Sequence, residues 1–223
     1  MKKIVLLLVA MALMAGTTQA NLLTNPGFEN GVFKANNPPD SWIDSWTSYT
    51  SNMTWLKDKG QEANAHSGSR YIQMNNWWTG SATHYDVYLW QNVTGLTAGA
   101  DYSFSVWGKS VTSGTTALGG MYMAWYNTSS VMTSSAAGYI SSTRVDGSAG
   151  DTWTQMDFGS LTAPAGTVAG VFFLLGEDEN NPNHTSTTGA VGIYYDDAVM
   201  IPEPATIGLL GLGALVLIRR RKA

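Results

Sequence analysis

The sequence contains no cysteine among its 223 residues. This absence excludes a disulfide framework, a thiolate metal site and a cysteine nucleophile. Basic residues are scarce as well, because the stretch 21–201 holds six Lys and Arg against fifteen Asp and Glu, a net charge of −9. An acidic surface repels phosphate backbones, which argues against nucleic acid as a partner, and it offers carboxylates to a hard cation such as calcium.

Helical periodicity is also hard to find in this stretch, whereas alternating apolar and polar residues recur throughout. The alternation is clearest over Tyr85–Val93 and Tyr102–Trp107. Further strands are predicted at Arg70–Met74, Gly120–Tyr126, Thr152–Phe158, Val168–Leu175 and Val191–Met200. Eight or more short strands without intervening helices indicate an all-β domain, either a β-sandwich or a jelly roll.

Two connecting stretches, Ser110–Gly119 and Asn127–Gly150, are rich in Ser, Thr and Gly. We interpret them as exposed loops of one domain and not as a second domain. The turns at 94–99 and 162–166 contain the Gly, Pro and Thr residues expected between strands.

The N-terminus carries the three-part pattern of a secretory signal. Lys2 and Lys3 precede an apolar run over 4–15, and small and polar residues follow up to Ala20. This order predicts a signal peptide over residues 1–20, with Asn21 as the first residue of the mature chain. Two lysines directly ahead of an unbroken apolar run disfavour the alternative of an N-terminal core helix.

The C-terminus combines Pro202-Glu203-Pro204 with an apolar run over 205–218 and four terminal cations at 219–222. Such a run rises only about 21 Å as a helix, which is marginal for a hydrocarbon core about 30 Å thick. The cations are expected on the cytoplasmic side. The three parts in this order resemble the PEP-CTERM sorting signal of Gram-negative bacteria, which implies recognition and cleavage by the membrane protease exosortase. We therefore expect residues 201–223 to be a sorting and anchoring tail with a short apolar transmembrane helix.

A second ordered set of motifs runs through the mature chain. It begins with NLLTNPGFENG at 21–31 and the tryptophans Trp42 and Trp46, and continues with HSGSR at 66–70, LWQNVTGLTAG at 89–99 and YYDDA at 194–198. The set resembles the cenC-type carbohydrate-binding modules, which are jelly rolls within the galactose-binding-like folds. The resemblance implies one carbohydrate-binding-like β-sandwich over residues 21–200.

Carboxylates stand near both ends of this domain, with Glu29 after the first turn and Asp196 and Asp197 in the last strand. The first and last strands of a jelly roll tend to be neighbours, so these acids can converge with backbone carbonyls on one cation. Calcium takes six to eight oxygen ligands, and related modules carry a structural calcium at such a place. The alternative is that the three acids are solvated. A second acidic stretch, 177–179, could hold a second cation, but a charge run of this kind is more often solvated.

Nine Trp and ten Tyr are many for a chain of this size. Sugar rings stack their apolar C–H faces on such side chains. Tyr88, Trp90 and Trp107 alternate with the apolar residues of their strands, so period-two geometry directs them away from the core. We predict these three as carbohydrate platforms, and the pair at 77–78 as a further aromatic cluster. Large aromatics more often form the core, as we expect for Trp42, Trp46, Trp125 and Trp153.

Catalytic motifs are missing from the sequence, which has neither a GxSxG elbow nor an HExxH helix. The expected function is therefore that of an exported, non-catalytic module that binds polysaccharide at the cell envelope, outer surface or extracellular matrix of a Gram-negative bacterium. Two alternatives stay open. One is a structural or adhesive biofilm-matrix protein without a sugar site. The other is a small polysaccharide lyase or glycosidase, because a glycosidase needs only two carboxylates.

Overall fold

The computed structural model describes residues 20–32, 42–48, 54–58, 65–75, 87–111, 113–114, 116–129, 137–176 and 192–203. Within these ranges the chain forms two antiparallel five-stranded sheets and one small two-stranded sheet. The described residues contain no helix long and apolar enough to cross a membrane. The predicted signal peptide and the tail beyond residue 203 lie outside the described residues.

Twelve strands run through the described ranges: β1 (Gly31–Val32), β2 (Trp42–Ile43), β3 (Thr47–Ser48), β4 (Thr54–Asp58), β5 (Arg70–Asn75), β6 (Val87–Thr94), β7 (Asp101–Ser110), β8 (Ala117–Tyr126), β9 (Tyr139–Ala149), β10 (Thr154–Thr162), β11 (Ala169–Gly176) and β12 (Gly192–Pro202). Sheet I has the order β10-β7-β12-β5-β4, and sheet II has the order β3-β6-β11-β8-β9. β1 pairs with β2.

Alternating burial within the strands creates the core between the two sheets. In β7, Tyr102, Phe104 and Val106 are buried, whereas the serines between them are half-buried on the other side. Phe104 of sheet I stacks on Phe172 of sheet II, with ring centroids 5.9 Å apart and an interplanar angle of 6°. Sequestering such large apolar side chains is the main favourable contribution to folding, at about 1.5–3 kcal/mol each.

Strand β9 corrects one sequence-based interpretation. The stretch Asn127–Gly150 was expected to be an exposed loop, but residues 139–149 form an eleven-residue strand at the edge of sheet II. Its polar composition hid it, because an edge strand that is exposed on one side needs few apolar residues. The expectation that Trp153 forms part of the core is also wrong. Trp153 packs against Tyr71 on the outer side of sheet I, and not between the two sheets.

The N-terminal segment is tied to both sheets by side-chain and backbone hydrogen bonds. The Thr24 backbone N–H donates to Gln91 Oε1 at 2.6 Å, and Gln91 Nε2 donates back to Thr24 O at 2.8 Å. At the other sheet, the pairing of β12 with β7 shifts register between Asp196 and Val199. Ala198 lies within this register shift, and its backbone N–H donates to Pro26 O at 2.9 Å. This bulge brings the turn that contains Glu29 next to the last strand.

Candidate functional site

An aromatic row crosses the outer side of sheet II. Trp90 of β6 lies opposite Phe173 of β11, and Phe173 lies opposite Tyr122 of β8. Tyr88, two residues before Trp90, takes the same side of β6, because alternate residues of a strand share a side. We call these four side chains, Tyr88, Trp90, Tyr122 and Phe173, the aromatic face.

Phe173 stands at the centre of the aromatic face. Its ring centroid lies 6.2 Å from that of Tyr88, 6.0 Å from that of Trp90 and 5.3 Å from that of Tyr122. The contacts with the two tyrosines are edge to face, which is a favourable arrangement for aromatic pairs. All four side chains are half-buried, so the rings hold one another in place and still expose part of their surface.

Polar groups border the aromatic face on β9. Arg144 lies opposite Tyr122, and its Nε atom donates to Asp146 Oδ1 at 2.7 Å. Ser142 is joined to the Tyr139 hydroxyl by a 2.7 Å hydrogen bond. Burial raises the pKa of Tyr122 above its ordinary value, so its hydroxyl stays neutral and able to donate. The border therefore supplies hydrogen-bonding groups beside apolar rings.

The structure places the predicted platforms on two different sheets. Tyr88 and Trp90 lie together on the outer side of sheet II, as period-two geometry predicted. Trp107 lies on the outer side of sheet I, where the His66 ring stacks on it at a centroid distance of 3.8 Å and an angle of 14°. One side of the Trp107 ring is therefore covered by protein, and Trp107 does not share a site with Trp90.

The three predicted metal ligands meet around the turn at 66–70. Glu29 Oε1 accepts from the backbone N–H groups of Ser69 and Arg70 at 2.9 and 3.0 Å, and Glu29 Oε2 accepts from Ser69 Oγ at 2.8 Å. Asp196 Oδ2 accepts from the backbone N–H of Ser67 at 3.0 Å. These hydrogen bonds fasten the turn to both ends of the domain.

Asp197 completes the arrangement, with His66 Nδ1 2.7 Å from its Oδ2 atom and Ser67 Oγ 2.8 Å from its Oδ1 atom. Asp196 is fully buried, and this burial raises its pKa from 3.8 to about 7. Gly27 faces the two aspartate carboxyl groups, because a Cβ there would lie 3.2 Å from Asp197 Oδ1 and 3.9 Å from Asp196 Oδ1.

The donor chemistry of this cluster suits calcium, since carboxylate oxygens converge beside a glycine that leaves space. The carboxylate oxygens of Glu29, Asp196 and Asp197 already have hydrogen-bonding partners, however, among the backbone and side-chain groups of residues 66–70. Across the described ranges, no three His, Asp or Glu side chains are grouped so as to hold a metal ion. Calcium would therefore have to replace some of these hydrogen bonds.

The sequence analysis did not identify several residues of the aromatic face and its border. Phe173 lies in an almost wholly apolar strand, AGVFFLLG, which carries no sign of which side faces outward. Tyr122 could have been found, because it alternates with the buried Met121 and Met123. Arg144 was hidden in the stretch interpreted as a loop. The predicted clusters at 77–78 and 177–179 lie outside the described residues.

Comparison with protein families matches residues 201–222 to the PEP-CTERM protein-sorting motif. The match confirms the resemblance of the tail to the PEP-CTERM sorting signal, and this signal indicates an exported protein. A comparison with curated protein sequences gives no match.

Among solved structures, the chain is similar to the CBM22-1 xylan-binding domain from Paenibacillus barcinonensis Xyn10C. The two share 12% identity over 84% of this chain and 97% of that one, with a TM-score of 0.50. It is also similar to the enzymatically active domain of bacteriophage CBA120 tailspike protein 4, at 13% identity and a TM-score of 0.50. That match covers 82% of this chain but only 21% of the tailspike chain. The likeness confirms the expected jelly-roll fold.

Proposed function

We propose that the chain is an exported, non-catalytic module that binds polysaccharide on the aromatic face of sheet II. The observation that carries this proposal is the row Trp90, Phe173 and Tyr122, in register across three neighbouring strands. With Arg144 on the next strand, the row spans three inter-strand spacings, or about 14 Å. That length suits several successive sugar rings of one polymer better than a single sugar.

The chemistry of the face favours a neutral or weakly charged glycan. Half-buried rings lose unfavourable contact with water when the apolar face of a sugar covers them. Arg144 is paired with Asp146, so it can donate to hydroxyl groups while its charge is already balanced. The net charge of −9 over 21–201 would repel a polyanion. The xylan-binding domain with a similar fold supports a polysaccharide as the ligand class.

The tail supports a place at the cell surface. We propose that exosortase recognises residues 201–223 in a Gram-negative host and that the mature module, residues 21–200, is retained at the envelope, outer surface or matrix. The PEP-CTERM match over 201–222 carries this part of the proposal. The apolar run at 205–218 would hold the precursor in the membrane before cleavage.

Calcium is proposed as a structural ion at Glu29, Asp196 and Asp197, where it would join both ends of the domain. An ion that binds only the folded state at a hundredfold excess over its Kd adds about 2.7 kcal/mol to the free energy of unfolding. Melting curves in calcium should therefore lie a few degrees above those in chelator, and Glu29→Ala should remove the difference. Superimposable curves for the unmodified chain would exclude the ion.

The glycan proposal is tested by retention of the full chain on a panel of insoluble and soluble polysaccharides. Trp90→Ala should reduce retention at least about tenfold, since a stacked ring contributes roughly 1.4 kcal/mol or more to binding. Trp107→Ala is the matched control, because it removes a half-buried tryptophan from the outer side of the opposite sheet. Both variants are checked for folding by circular dichroism and thermal melting.

Equal loss of retention in both variants would contradict the assignment of the aromatic face. If the unmodified chain is retained on no polysaccharide, the alternative of a structural or adhesive matrix protein is favoured. Release of reducing or unsaturated sugar ends by the purified chain would instead identify a polysaccharide-cleaving enzyme.

A further inference from the structure

The sorting motif begins inside the folded domain. β12 continues to Pro202, which lies opposite Tyr102 of β7. Glu203 extends this pairing, because its backbone N–H donates to Asp101 O at 2.7 Å. The matched motif starts at residue 201, so its first two residues belong to sheet I and its third is hydrogen-bonded to that sheet.

The side chain of Glu203 is also engaged by the domain. Its Oε1 atom accepts a hydrogen bond from Ser103 Oγ at 2.6 Å. A hydrogen bond to a carboxylate is stronger than one between neutral groups. Both the backbone and the carboxylate of the motif's only acidic residue are thus held by β7.

The first residues of the mature chain hold the same strand near its end. Asn21 Nδ2 donates to Ala198 O at 2.8 Å, and the Met200 N–H donates to Asn21 Oδ1 at 3.0 Å. The Leu22 N–H donates to Met200 O at 2.8 Å. The end of β12 is therefore fixed by β7 through its pairing and by the N-terminal segment through these bonds.

We propose that the folded domain withholds the beginning of its own sorting motif from the processing protease, so that cleavage requires the last residues of β12 to leave sheet I. The inference rests on the proposed exosortase cleavage and is independent of glycan binding. A protease needs an accessible, locally opened segment, and the cleavage rate follows the population of the open form when opening is fast. Chains that have not finished folding would be processed faster than folded ones.

The test follows processing of the full chain in a Gram-negative host that carries exosortase. Pulse-chase labelling and intact mass report the loss of the terminal cations at 219–222. Ser103→Ala should speed processing about threefold, because it removes one exposed hydrogen bond that holds the motif. Ser105→Ala is the matched control, since Ser105 lies on the same side of β7 and its hydroxyl accepts a hydrogen bond from Gln155 Nε2.

A second variant places a six-residue Gly-Ser spacer between Ile201 and Pro202, which releases the whole Pro202-Glu203-Pro204 motif from the sheet. This chain should be processed at least about tenfold faster, because no local opening is then needed. In the purified unmodified chain, the Glu203 amide should exchange its hydrogen more slowly than an unstructured amide.

Any one of three results would overturn the proposal. These are processing of the spacer chain at the unmodified rate or slower, free exchange of the Glu203 amide, and absence of a truncated form from every chain. Loss of glycan retention has no bearing on these results, because the aromatic face lies on the other sheet. Melting temperatures of the two serine variants should agree within a few degrees, which separates the local effect from unfolding.

Discussion

The two outer sides of the sandwich use similar aromatic side chains in different ways. On sheet I, Tyr71 and Tyr194 are 0% and 3% exposed and meet edge to face at 5.1 Å, while His66 lies flat on Trp107. On sheet II, the rings of the aromatic face are half-buried and border a polar strand. An outward position in a strand therefore does not make a ring available to a ligand, because other parts of the chain can cover it.

The cover over Trp107 on sheet I comes from the turn at 66–70. His66 supplies the ring that stacks on Trp107, and the turn is held by Glu29, Asp196 and Asp197. These acids come from the first turn and the last strand of the domain. The same carboxylates that were predicted as metal ligands therefore also hold the turn that covers Trp107.

The largest expected effect is the difference in lost stability between removing a covered ring on sheet I and removing a half-buried ring on sheet II. Tyr71→Ala should lower the free energy of unfolding by about 3–5 kcal/mol, because it empties a fully buried aromatic site. Tyr122→Ala, on the half-buried face, should cost only about 1–2 kcal/mol but weaken glycan retention. Urea unfolding of both variants measures the difference. An equal loss of stability would show that the two sides are packed alike.

A second effect concerns the pH dependence of stability that Asp196 causes, since Asp196 binds the turn at 66–70. Because burial raises the pKa of Asp196 to about 7, the folded chain favours the protonated acid more than the unfolded chain does. Without calcium, the contribution of Asp196 to stability should be greatest below about pH 4, fall by a few kcal/mol up to about pH 7 and then level off. Asp196→Asn should remove this fall, as measured by urea unfolding between pH 4 and 8.

Asp157→Asn is the control for this profile, because Asp157 is an exposed acid on the same sheet. The assignment to Asp196 fails if the fall persists unchanged in Asp196→Asn. The same measurement in calcium is a further check. An ion that binds the ionised acid should reduce the fall in stability between pH 4 and 7, or reverse its sign.

The smallest effect concerns the His66 ring that covers Trp107. His66→Ala should cost about 1 kcal/mol or less, since one stacked aromatic contact is lost near the surface. It should also make Trp107 more accessible to acrylamide, measured as the fluorescence difference from the matching chain with Trp107→Phe. His66→Phe keeps a stacked ring and should leave accessibility low. If His66→Ala leaves quenching unchanged, His66 is not what covers Trp107.

Much of the fold could be predicted because strand patterns are local. The alternation in β7 identified Phe104 and Val106 as core residues, and the same rule directed Trp90 and Trp107 outward. The edge strand β9 could not be found in this way, because most of its residues are polar and its apolar residues Ile140 and Val145 do not follow an alternating pattern. Its partner β8 and not its own composition determines that it is a strand.

The candidate site was predicted only in part, for a similar reason. Trp90 and Tyr88 could be placed on one side of one strand, but nothing in their own strand indicates which rings complete the surface. Phe173 and Tyr122 join them through sheet pairing between segments far apart in the chain. Trp107 was grouped with Trp90 because each followed the same alternation, although the topology assigns their strands to different sheets.

By itself the sequence determined the sorting signal, the all-β class and the side of each strand that many residues take. These properties depend on residues close together in the chain, through charge order, apolar length and period-two geometry. Only the tertiary structure decided which outward rings are covered, which acids meet around the turn at 66–70 and that the sorting motif begins inside sheet I. Each of these depends on contacts between distant segments, which local patterns do not specify.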